Sequence, residues 1–307
     1  MLIHLNTFFL LLCLPSLTLS YDERPRTGHS RFWRRASQKV AAEGFANPKE
    51  SGGSFLTQVE NTTPPGQSEP VNMIISANSD ADVLKDQEDG GGLRNYWLSL
   101  LFAGECLGQH SGDSQKVDLG DGHGALNETA VIRYNYNDSQ LGTCKESIEG
   151  GNHFRYWVQN GPTMNTGAIF MAASYEMPIS QQHGIVANGY NLGRDYIVGN
   201  ITGSVIPTAN LTNQSSYSGE TSFGGFKYRT TVKYLSGLLQ NTSIGINHND
   251  SVPTGDMNAI DGLVALLEVK ISERPKNDAT ALFLNPPRRA WQIPVLFVAF
   301  IISLACF

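Results

Sequence analysis

The residues best suited to chemistry lie in one stretch, 149–199. His153, Arg155 and Trp157 alternate along GGNHFRYWVQNG. If 153–158 is a strand, these three side chains share one face, and Phe154, Tyr156 and Val158 share the other. The apolar set then points inward and leaves an imidazole, a guanidinium and an indole side by side. Such a row can hold an anionic or sugar ligand, with Arg155 as a fork and Trp157 as a stacking plate. His153 can act as acid or base near neutral pH. Further along, His183, Asn188, Asn191, Arg194 and Asp195 add polar groups. Asn188-Gly189 and Gly193 read as turns that bring backbone amides near a ligand.

Two readings follow. In the first, the chain is a hydrolase acting on glycan or phosphodiester, with His153 as acid/base, Arg155 clamping an anion, and His183 or Asp195 assisting. That requires His153, Arg155 and one of His183, Asp195 or Glu149 to converge in a concave pocket. In the second, Trp157, Asn188 and Asn191 belong to a ligand-binding face, and Arg194-Asp195 simply pair on a loop. A bland alternative stands beside both: the row is shielded by a loop, and His153 is bonded to backbone.

Other candidate motifs are weaker. Glu149 and His153 are four apart, but Gly150-Gly151 between them disfavours the helix a zinc pair would need. Asp118-Leu-Gly-Asp121-Gly-His123-Gly offers calcium ligands without EF-hand spacing. Gly90-Gly91-Gly92 lacks the Lys-Ser/Thr of a phosphate loop, and no Gly-x-Ser-x-Gly elbow occurs. No metal and no cofactor are expected.

The elements that must position these residues are mostly strands. Phe226, Tyr228, Thr230, Val232 and Tyr234 alternate with Lys227, Arg229, Thr231 and Lys233, as in a half-buried strand. Segments 168–175 and 263–271 are apolar on both parities and read as central strands. The strands 226–234 and 263–271 are expected to pair antiparallel. Segments 71–76 and 130–136 are further candidates, and 153–158 joins 168–175 through Asn160-Gly161-Pro162. Leu93, Tyr96, Trp97, Leu100 and Leu101 follow helical spacing, which predicts a helix over 93–104. The expected fold is α+β: a single domain dominated by an antiparallel β-sheet, with few helices.

The strings GGNHFRYWVQNG and HGIVANGYNLGRD resemble a family of uncharacterised secreted fungal surface proteins. The resemblance covers a quarter to a half of the chain. It implies secretion and surface association and carries no catalytic residue.

The two ends read as addresses. Residues 1–20 combine the apolar run Phe8–Leu14 with Pro15 and small residues up to Ser20, as in a secretory signal peptide. Residues 276–307 read as a GPI attachment signal: Asn277 as the lipid attachment residue, a spacer, and the apolar tail 291–307. A single-pass anchor would instead leave Arg288-Arg289 outside, against the positive-inside bias. Residues 21–70, basic and then rich in Gly, Ser and Pro, read as a leader or linker. Arg34-Arg35 can be a processing site, or the segment can be a flexible arm. The globular domain is expected over 71–275.

Of four cysteines, Cys13 and Cys306 lie in the two end signals. Cys106 and Cys144 remain, and in an oxidising compartment they are expected to form one disulfide. Sequons occur at Asn61, Asn127, Asn137, Asn200, Asn210, Asn213, Asn241 and Asn249. Glycans there would supply solvation that a chain with only 16% charged residues lacks. Residues 71–275 hold 12 Lys and Arg against 21 Asp and Glu. An acidic domain has no electrostatic footprint for nucleic acid. The expected partners are a membrane, reached through the lipid, and a cell-wall glycan or small extracellular ligand.

Overall fold

The computed structural model describes residues 42–110, 112–138 and 140–276. The signal peptide, most of the leader, Asn277 and the apolar tail lie outside the described residues. In chain order the strands are β1 (Met73–Ile75), β2 (Phe102–Ala103), β3 (Lys116–Asp118), β4 (Ala125–Asn127), β5 (Ala130–Tyr134) and β6 (Gly151–Asn160). They continue with β7 (Asn165–Glu176), β8 (Ser216–Phe223), β9 (Phe226–Leu235), β10 (Asn241–Thr242), β11 (Ile260–Asp261) and β12 (Val264–Glu273). The helices are α1 (Leu93–Ser99), α2 (Gly142–Glu149) and α3 (Gly189–Thr202). Eight strands form one sheet in the order β2-β5-β6-β7-β1-β12-β9-β8. Every pairing in it is antiparallel except β1 with β12. The domain is therefore α+β and largely antiparallel, as its sequence pattern predicts. β9 and β12 pair antiparallel as expected.

Both faces of the sheet are covered. On one face Met73, Ile75, Phe154, Tyr156, Ile169 and Met171 pack with Leu93, Tyr96 and Trp97 of α1 and with Ile197, Val198 and Ile201 of α3. On the other, Ile74, Trp157, Phe170 and Leu266 pack with Phe45, Phe55, Val117 and Leu119. Double coverage explains why β1, β7 and β12 are apolar on both parities: successive side chains enter different cores.

Three expectations need correction. Residues 42–70, read as leader or linker, include Phe45 and Phe55, which are buried against Phe170. The helix predicted over 93–104 stops at Ser99, because Leu101 takes a left-handed φ of 65° and turns the chain into β2. Gly193 is not a turn but lies within α3, whereas Asn188, with a left-handed φ of 58°, forms the turn that opens that helix at Gly189.

The disulfide joins Cys106 to Cys144 across 38 residues and ties α2 to the 3-10 turn at Cys106–Gly108. Closing a loop of that length is worth about 3–4 kcal/mol by chain entropy. Replacing both cysteines by serine should lower stability by that amount in urea unfolding. Unfolding at the native denaturant concentration would show that the bond constrains nothing.

Candidate functional site

β-Pairing sets the site. Arg133 on β5 is in register with His153 on β6, and His153 is in register with Ser174 on β7. Strand alternation places Glu176 on the same face, two residues beyond Ser174. α2 ends at Gly150, whose φ of 78° is left-handed, and the chain turns back into β6. That reversal brings Glu146 over His153. Gly151 fits beneath it, since a Cβ there would come within 2.9 Å of Glu146 Cγ. After β7, Gln182 and His183 take left-handed φ values of 59° and 52°, and His183 returns to Glu176.

The cluster therefore contains Arg133, Glu146, His153, Glu176 and His183. Arg133 Nη1 donates to Glu146 Oε2 at 2.7 Å and lies 3.8 Å from Glu176 Oε2. His153 Nε2 is 3.3 Å from Ser174 Oγ and 3.5 Å from Glu176 Oε1. His183 Nδ1 is 3.4 Å from Glu176 Oε2. Glu146 Oε1 and His153 Nδ1 face each other at 3.8 Å. Both are buried, and neither has a hydrogen-bond partner among the described residues.

Burial dominates the electrostatics. It pushes Glu146 up to about 7 against the pull of Arg133, and His153 down to about 4. Glu176 is held below its usual range, because His153, His183 and Arg133 outweigh its desolvation. Its bond with His183 raises that imidazole. Near neutral pH His153 is a neutral ring beside one firmly ionised carboxylate. Such a group can accept a proton or donate a lone pair.

The remaining sequence candidates disperse. His153, Arg155 and Trp157 do share a face, but that face is not open: His153 is 4% exposed and Trp157 3%. Arg155 pairs with Glu128, and Trp157 Nε1 donates to Leu126 O at 3.0 Å. His153 and His183 do converge, on Glu176. Asp195 is elsewhere. Its two oxygens accept from Arg194 Nε and Nη2 at 2.7 and 2.9 Å, and Tyr234 OH donates to it at 2.7 Å. Asn188 and Asn191 bond to each other at 2.6 Å and line a separate cavity of about 300 Å³ beside Asp256 and Asn258.

Asp118 and Asp121 cap their own loop, accepting from Gly120 N and His123 N. Glu149 lies on the exposed side of α2 and pairs with Lys145 at 3.6 Å. Asn61, Asn127, Asn137, Asn210, Asn213 and Asn241 are exposed, whereas Asn200 and Asn249 are half-buried.

Sequence reasoning missed Glu146 and Glu176. The signal for Glu146 was present: a helix closed by Gly150-Gly151 must fold its last turns back over the strand that follows. It also missed a cleft of about 630 Å³ where the ends of β5, β6 and β7 meet α3 and residues 203–206. Tyr134 and Tyr136 stand edge-to-face at 4.9 Å, and Tyr175 and Tyr196 at 5.3 Å, all four lining the cleft. Asn152 and Asn200 supply its polar groups, while Asp195 beneath it is already taken up by Arg194 and Tyr234. Fold and site together define an α+β domain with a tyrosine-lined cleft beside a buried His-carboxylate cluster. The chain matches no protein-family model, no curated protein and no solved structure.

Proposed function

We propose that this chain is a secreted, N-glycosylated surface protein, held at the membrane by a C-terminal lipid, whose domain binds a neutral sugar in the tyrosine-lined cleft. The cleft carries the reading. Its volume suits a small ligand. Two tyrosine pairs offer flat apolar faces for sugar C–H groups, and the amide groups can meet hydroxyls. The acidic balance of the domain fits a neutral ligand better than an anionic one. The terminal signals and the dense sequons support the surface address.

The hydrolase reading is weaker. His153 is buried and is not among the residues lining the cleft, and Arg155 is already paired with Glu128. A general acid must come within hydrogen-bond reach of its substrate.

Neutral oligosaccharides of cell-wall type should bind the secreted protein in calorimetry. Tyr196→Ala should weaken that binding about tenfold without loss of folding, because Tyr196 is 45% exposed. Failure of every neutral sugar to bind would defeat the ligand assignment. For the address, a phosphatidylinositol-specific phospholipase should release the protein from intact cells. Retention of protein whose apolar tail is intact by mass spectrometry would defeat the lipid anchor.

A further inference from the structure

The geometry points to a zinc site formed by Glu146 Oε1, His153 Nδ1 and a carboxylate oxygen of Glu176. One ligand atom from each residue lies within 4.8 Å of the others. Two buried donor atoms face each other there without a partner among the described residues. Glu146 is fully buried and His153 nearly so, yet Oε1 and Nδ1 make no hydrogen bond among the described residues. Buried polar atoms are nearly always partnered, so two that face each other at 3.8 Å without a bond call for a third party between them.

Their spacing suits a metal. Two donors about 2.0–2.1 Å from zinc at a tetrahedral angle stand about 3.4 Å apart. The observed 3.8 Å between Glu146 Oε1 and His153 Nδ1 closes to that with a small side-chain shift, while Glu176, whose Oε1 lies 3.5 Å from Nε2, must swing toward Nδ1 to complete the set. The donor types agree, since a neutral imidazole with carboxylates is a borderline N/O set that zinc accepts.

The surroundings orient these donors as ligand supports do. Arg133 holds the other oxygen of Glu146, so Oε1 is directed inward. Ser174 Oγ lies beside the other nitrogen of His153, so Nδ1 is directed toward Glu146. Such outer contacts fix the orientation of ligating groups. Glu176 and His183 are half-buried and give an entry path, and His183 stands on the solvent side of Glu176. This inference does not depend on the sugar-binding reading, since none of the three ligands lines the cleft.

The test uses the secreted full chain, stripped with chelator and then supplied with zinc alone. Elemental analysis after gel filtration should find one zinc per chain. Cobalt in its place should give visible d–d absorption. Glu146→Gln keeps an acceptor for Arg133 but removes the anionic ligand, and should weaken zinc binding at least tenfold. His183→Ala, at a half-exposed position, should retain the fold and weaken binding less. Zinc should raise the melting temperature of the native chain and leave that of Glu146→Gln unchanged. Substoichiometric zinc in the native chain would overturn the site. So would zinc held with native affinity by a folded Glu146→Gln variant, which would place the metal elsewhere.

Discussion

Arg194→Met should cost the domain about 3–5 kcal/mol, read as a shift in its urea unfolding midpoint. Arg194 is fully buried. Its guanidinium donates to both oxygens of Asp195, to both oxygens of Asp261 at 2.8 and 2.7 Å, and to Leu263 O at 2.9 Å. Methionine fills similar space but leaves Asp195 charged inside the core. Most of the loss comes from that uncompensated carboxylate, not from the missing contacts. Adding Asp195→Asn to Arg194→Met should therefore recover part of the stability. If Arg194→Met unfolds with the native midpoint, the network contributes nothing to the fold.

Trp97→Ala should be comparably damaging, at about 3–5 kcal/mol. The indole is 1% exposed and packs edge-on against Phe154 at 5.2 Å and Tyr156 at 4.7 Å. It is the contact through which α1 grips β6. Alanine leaves a cavity beneath a helix of seven residues, too short to hold its shape unaided. For a domain of this size the melting temperature should fall by about 10 °C. A fall of only a degree or two would mean that neighbouring rings collapse into the gap.

The strand pattern was legible because alternation is local: β6, β7, β9 and β12 all fall where period two or continuous apolar runs place them. What covers each face was not. His153, Arg155 and Trp157 were correctly placed on one side of β6. Their burial, however, depends on segments distant in sequence: Trp157 shares a core with Phe45, Phe55 and Val117, Arg155 pairs with Glu128, and His153 lies under Glu146 of α2. Helix α3 was hidden by its glycines. Gly189 and Gly193 look like breakers, yet they let the helix lie against the backbone of β7. A Cβ on Gly193 would come within 2.5 Å of Ser174 C, and one on Gly189 within 2.8 Å of Tyr175 O. The catalytic grouping expected from spacing failed for a related reason. His183 reached His153 through a loop, whereas Asp195 was drawn into the Arg194 network by Asp261, far along the chain.

The three residues of β1 determine the order in which the molecule can be assembled. They hydrogen-bond to β7 on one flank and, in parallel, to β12 on the other. A ribosome releasing this polypeptide delivers β1 first and β12 last of the described strands. The earlier strands can zip together as they emerge, but β1 then presents a bare apolar border until the final strand docks. β12 must therefore be made before β9 and β8 can join the other half of the sheet, and until then the exposed border of β1 is a place where a second chain could pair.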